Sequence, residues 1–280
     1  MTAKSRIFLF FFLAYSGTWI FWWIAVAIGK PVSDPVTFWL LAIGGLFVPA
    51  SALFLTYATY DPTTVRDYWS RLLDFKRLSF GGVAAAVLIM PTTAIVAIAF
   101  DGHRNDLPRS FAHLYALASQ PLLLFSFLGL GFVFGPVPEE MGWRGYALKP
   151  LQQAYGVLAG VVLLSCVHAV WHLPLFYLAG SYQQELGVLT TGFWLFMAST
   201  MAFGVIAAAL FNAMSESVLA VILLHWSANM TQESFNLSSA ANWYWKGSII
   251  ILAVFLVIVT RGKLFLQNPA SRSKSRYQAS

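Results

Sequence analysis

The chain is a succession of apolar runs, most of them long enough to cross a lipid bilayer, and that feature removes most folds from consideration. A spanning helix needs about 20 apolar residues. Backbone N–H and C=O groups inside lipid must be satisfied within the segment, which for such runs means helices. Eight candidates can be marked: about 7 to 28, 37 to 58, 80 to 100, 111 to 134, 155 to 178, 188 to 211, 217 to 232 and 245 to 260. The seventh is short and carries a histidine and an asparagine. Hydrophobic residues make up 59% of the chain and charged residues 10%, too few charges to clothe a water-soluble domain. The expectation is an all-α polytopic membrane protein, a single membrane-embedded domain over 1–280 with about eight transmembrane helices surrounding a cytoplasm-facing polar cavity. The first run follows MTAKSR and continues to Ile28 without a small-residue cleavage site, so it reads as a retained span.

Lys and Arg accumulate on the cytoplasmic side of membrane proteins. With eight spans and a cytoplasmic N-terminus, only Lys30, Arg104, Arg109 and Lys246 of the 17 Lys and Arg fall outside. The reading is a multi-pass protein of the cell membrane with both termini cytoplasmic, a basic tail over about 261–280, and outward loops at Asp101 to Arg109 and Leu237 to Lys246. Without the short seventh span the basic tail would lie outside, so charge supports that span. Asp61 to Leu78 sets Trp69, Leu72, Leu73 and Phe75 among basic residues, the pattern of an amphipathic helix lying on the membrane surface. The net charge of +6 is spread over several loops and the tail, which points to membrane lipids as partners and away from nucleic acid. The single cysteine, Cys166, excludes an intrachain disulfide and reads as a packing residue.

Against this background the stretch GPVPEEMGWRGY, 135–146, is costly. A charged side chain at the centre of a membrane helix costs about 2.5 to 3.5 kcal/mol on insertion scales, so it needs a partner, a wet cavity or a function. Pro138 suits the first position of a helix, with Glu139 and Glu140 at the positive end of its dipole. Arg144 follows Glu140 by four residues and can pair with it, while Glu139 is turned about 100° away and left available. The fifth run holds His168 and His172 one turn apart, and the seventh holds His225 and Asn229 at the same spacing. One histidine per segment suffices, so His168 reads as a packing or supporting residue. His103 and His113 fall on the opposite face, and Glu185, Glu216 and Glu233 read as solvated.

Two chemistries fit a cavity lined by these residues, and the sequence leaves both open. In one, Glu139 is a general base on water, helped by His172, while His225 and Asn229 donate hydrogen bonds to the oxyanion of an attacked amide. In the other, Glu139, His172 and His225 coordinate zinc with one position open for water. No HExxH signature, Gly-x-Ser-x-Gly turn or aspartate pair is present.

EEMGWR matches the EExxxR motif of the CAAX protease and bacteriocin-processing (CPBP, or Abi) family of intramembrane proteases, and HAVWH and HWSAN resemble its second and third motifs. The resemblance runs from about the fourth span to the seventh, so the motifs fall within about 135–232. It implies an eight-helix α-helical endopeptidase acting on a protein or peptide substrate, prenylated CAAX proteins in eukaryotic relatives. Glu139 would be the catalytic glutamate, Glu140 and Arg144 its supporting pair, His172 the histidine of the second motif, and His225 with Asn229 the third. The departure is His168, where phenylalanine is usual. The competing reading is a non-catalytic membrane protein for bacteriocin immunity or scaffolding. Such a protein has no need of three polar stripes in apolar spans.

Overall fold

The computed structural model describes residues 1–101 and 110–260, and all regular structure among them is helical. His103, Arg104, Arg109 and the basic tail lie outside the described residues. In chain order the helices are α1 (Ala3–Ile28), α2 (Pro35–Gly45), α3 (Phe47–Thr59), α4 (Pro62–Leu73), α5 (Phe80–Phe100), α6 (Ala112–Ala118), α7 (Pro121–Val133) and α8 (Pro136–Gly142). A π-helical turn, Trp143–Ala147, then leads to α9 (Leu148–Tyr155), α10 (Val157–Trp171), a 3-10 turn Leu173–Tyr177, α11 (Tyr182–Leu186), α12 (Thr191–Ala213), α13 (Val218–Ser234) and α14 (Ser239–Val259).

Seven helical runs among the described residues are long and apolar enough to cross a membrane: Ala3–Ile28, Pro35–Thr59, Phe80–Phe100, Pro121–Tyr155, Val157–Tyr177, Thr191–Ala213 and Ser239–Val259. The short seventh candidate is α13, with 17 residues. It packs on α5, α8 and α12 and buries Val221, Ile222, Leu224 and His225, so the bundle around it replaces the lipid that its length could not fill.

Two boundaries differ from the sequence expectation. The fourth candidate, 111 to 134 followed by a separate helix opening at Pro138, is instead a break near Gln120 and one long run from Pro121 to Tyr155. Pro136, not Pro138, takes the first position of α8. The two prolines lack the N–H groups that would continue the α7 ladder, so the run is interrupted at Phe134 and Gly135 and resumes in a new direction. The last span begins at Ser239 rather than at 245, because the Ser238 hydroxyl accepts from the Ala241 N–H at 3.0 Å and caps the helix. Lys246 therefore lies two turns inside α14.

The bundle has two distinct ends. At one, Lys4 lies over the Tyr155 ring and Arg6 over the Tyr60 ring, while Lys149 reaches Asp67 and Glu216 and Arg77 donates to the Ser215 carbonyl. This end gathers the start of α1, the end of α3, α4 and the α12–α13 turn. Here Asp61 caps α4 by accepting the Thr63 and Thr64 N–H groups, and bonds from the Thr63 and Thr64 side chains and backbone hold its carboxyl well below the usual carboxylate range. At the other end the Val32 N–H bonds the Ala179 carbonyl, the Asn236 N–H bonds the Ser110 carbonyl, and Asn242 donates to the Tyr182 hydroxyl at 2.8 Å.

Candidate active site

The Glu-Glu segment is gripped from behind. Gly142 lies so close to α3 that a Cβ there would come within 2.3 Å of Val48, and Trp143, Arg144 and Tyr146 are buried, with Phe10 of α1 against both aromatic rings. This fixes the two glutamates in different surroundings. Glu140 is fully buried: Arg144 Nη1 donates to its two oxygens at 2.8 and 3.0 Å, and His225 Nδ1–H donates at 2.8 Å. A buried carboxylate is tolerated only with such partners. The Glu139 side chain is 15% exposed and accepts from His168 Nε2 at 2.8 Å.

How α10 ends decides where the histidines point. Pro174 cannot donate to the carbonyl four residues back, so the α-helix stops at Trp171 and tightens into the 3-10 turn. His172 Nδ1–H turns back onto the His168 carbonyl at 2.9 Å, which fixes its tautomer and leaves the lone pair on Nε2. Two residues of α1 hold neighbouring carbonyls: Trp19 Nε1–H donates to Trp171 at 3.0 Å, and the Tyr15 hydroxyl donates to Val167. Tyr15 and Trp19 have no polar motif around them, so sequence reasoning had no signal by which to single them out. The His168 ring packs beside Trp143 and Trp171, at centroid distances of 5.2 and 6.1 Å.

Glu139, His168, His172, His225 and Asn229 line one cavity of about 790 Å³. All the sequence-predicted residues except the supporting pair, Glu140 and Arg144, thus reach a common space. A Cβ at Gly135 would stand 3.2 Å from Asn229 Nδ2, so α13 brings that amide close against the start of α8. The ligand atoms of Glu139, His168 and His172 lie within 4.8 Å of one another. Two sequence-based expectations change here. His168, read as a packing or supporting residue, bonds Glu139 directly and belongs, among the described residues, to the group whose geometry could hold a metal ion. His225, named for a zinc set with Glu139 and His172, falls outside that group, and its Nδ1 is committed to Glu140.

A third change concerns the side on which the cavity lies. Its wall continues to Val32, Gly180, Tyr182, Glu233 and Lys246, all at the end opposite to the start of α1. A cytoplasm-facing cavity and cytoplasmic termini are therefore incompatible in this fold. The sequence argument placed the motifs near the cytoplasmic ends of their spans, but His172 closes α10 at its far end and Glu139 sits in the middle of a 35-residue run. Burial raises the Tyr182 phenol above its ordinary value, with the Asn242 bond opposing, so this rim group stays protonated.

Residues 121–231, which contain every one of these site groups, match the family described as Type II CAAX prenyl endopeptidase Rce1-like. The CAAX prenyl protease 2 of Methanococcus maripaludis is 22% identical over 263 residues, covering 92% of this chain and 95% of that protein. Both comparisons support a likeness to the Rce1-like CAAX endopeptidases of the CPBP family. It is an intramembrane endopeptidase, and the scaffold or immunity reading is not favoured. The family match begins at α7 and ends three residues before α13 does, so α1 to α6 and α14 surround the motifs rather than carry them.

Proposed function

We propose that this protein hydrolyses a peptide bond in its membrane cavity with Glu139 as general base. The observation that carries this reading is the unequal treatment of two adjacent carboxylates: Glu140 is consumed by Arg144 and His225, while Glu139 faces the cavity with one histidine donor. Glu139 takes a proton from a water as its oxygen attacks the scissile carbonyl, and returns that proton to the departing amine. His168 holds the carboxylate through Nε2–H. His172, with Nδ1–H already given, offers Nε2 to the same water. Asn229 donates its amide N–H to the developing oxyanion, and His225, when protonated, supplies a second donor through Nε2. Where zinc is used, Glu139, His168 and His172 are the residues that hold it, and the metal supplies Lewis acidity and a more acidic bound water.

Phe38, Phe134, Phe196 and Phe203 on the cavity wall suit an apolar or prenylated segment of a protein substrate. The bias of Lys and Arg puts the start of α1 in the cytoplasm, which in this fold places the cavity mouth on the opposite face of the membrane. The test of the catalytic reading is Glu139→Gln in purified protein, assayed for peptide cleavage. We expect a fall of about 10²- to 10⁴-fold, the usual contribution of a general base. A well-folded Gln variant that cleaves at the parental rate rules the reading out. Parental activity that survives complete chelation leaves the glutamate route standing without zinc.

A further inference from the structure

Apart from Glu139 and the histidines, the cavity wall carries, among the described residues, one cation whose role is unassigned. Lys246 lies in α14, and its Nζ stands 4.5 Å from the Trp245 ring centroid and 5.7 Å from that of Tyr182. Both rings are fixed. Trp245 is buried and donates its Nε1–H to Thr93 at 3.1 Å, and the Tyr182 hydroxyl accepts from Asn242 at 2.8 Å. Lys246 therefore has a rigid aromatic seat, yet it forms no ion pair with a described residue. Aromatic faces hold an ammonium in place without neutralising it. The other acidic groups near the mouth, Glu185 and Glu233, are exposed at the rim, where water and salt screen them.

A seated ammonium on the wall of a substrate cavity, without an opposite charge, is suited to an anion that arrives with the ligand. We propose that Lys246 is the residue by which the cavity recognises a carboxylate of the bound peptide, while Glu139 acts on a bond deeper in. This rests on the endopeptidase reading of the cavity. A ring path connects the two places: His172 meets the edge of Phe196 at 5.6 Å, and Phe196 meets Tyr182 at 6.5 Å. One peptide lying along that path touches both. The carboxylate has two sources, the free C-terminus of the peptide or an acidic side chain within it.

Binding can be measured apart from turnover by placing every comparison in a Glu139→Gln background and following the anisotropy of a labelled apolar peptide. Three forms serve as probes: the free acid, the C-terminal amide, and the amide with one internal glutamate. A hydrogen bond to a charged group predicts roughly ten- to hundred-fold tighter binding of the form that presents the carboxylate. Lys246→Met should erase that preference and Lys246→Arg should keep most of it. Preference for the free acid alone assigns the C-terminus, and preference for the internal glutamate assigns the side chain. Equal binding of all three probes by the Lys246 protein overturns the proposal, and does so even if Lys246→Met fails to fold. Parental cleavage lost on Glu139→Gln, together with equal binding, would leave the protease reading intact and remove only Lys246. Carboxylate preference without parental cleavage would do the reverse.

Discussion

The ion-pair network around α4 and the lone cation of the cavity wall handle charge in opposite ways, although Lys30 and Asp34 pair at the cavity end and Lys4 and Arg6 lie over rings at the other. At the end where α1 starts, charged groups are spent on one another: Asp67 pairs with Arg71 at 3.1 Å and with Lys149 at 3.5 Å, and Lys149 pairs with Glu216 at 2.9 Å. This lattice ties α4, α9 and the α12–α13 turn together, and the turn holds Ser215 and Glu216 at φ of 56° and 63°, conformations that cost non-glycine residues about 1 kcal/mol or more each. At the cavity end Lys246 has aromatic neighbours instead of a counter-charge. Between the ends, Glu140 and Glu139 repeat the contrast within two residues. Groups already paired hold the fold, and groups left with one weak partner face the space where a substrate can come.

Labelling is the sharpest way to break this comparison, because its outcome is all or none. In a Cys166→Ala background, a cysteine at Gln183 should react with an impermeant reagent from the non-cytoplasmic side and one at Arg66 only from the cytoplasmic side. The reverse pattern would show that the cavity end faces the cytoplasm and that the charge bias misleads. Next in size is Arg144→Ala, which strands the Glu140 carboxylate in a dry site. We expect a loss of about 3 to 5 kcal/mol in unfolding experiments, and an unchanged stability would mean that the pair is not buried in the native protein.

The third expectation separates the two histidines of α10. His168→Phe removes the donor to Glu139 while filling similar space, and should lower kcat/KM by about ten- to hundred-fold with little change in melting temperature. A variant as active as its parent would return His168 to a packing role. The smallest effect belongs to the paired end. Asp67→Asn should cost about 1 kcal/mol, fading at high salt, because the Asp67 carboxylate is itself 38% exposed to water although Arg71 is buried. A larger loss there would erase the distinction between the two ends.

Much of the site was readable because helix spacing is local. The four-residue step from Glu140 to Arg144, the matching steps from His168 to His172 and from His225 to Asn229, and the isolation of these groups in apolar runs follow from 3.6 residues per turn. Which of its two readings, packing or supporting, His168 takes is decided non-locally. Its rank depends on Pro174 ending α10 and on the His172 side chain folding back onto a backbone carbonyl, neither of which spacing describes. The direction of the cavity was also out of reach, since counting loop charges orients the helices but does not say at which end they leave a space between them. Tyr15 and Trp19 act through carbonyls of α10, and a hydrogen bond to another segment's backbone leaves no trace in the composition of either partner.

The π-helical turn Trp143–Ala147 has a consequence for how this chain tolerates changes in length. Its closing bond runs from the Leu148 N–H to the Trp143 carbonyl, five residues back, so the turn contains one residue more than an α-helix would. Deleting a single residue there would restore ordinary winding with little change of phase downstream, because the wide turn carries the chain about as far round as an α-turn with one residue fewer. Lys149 would then still point toward Asp67 and Glu216, whereas a deletion within α9 itself would leave no wide turn to absorb it and would turn that helix's later residues by about 100°. The wide turn is the place where this run can gain or lose one residue without moving the helices that follow it.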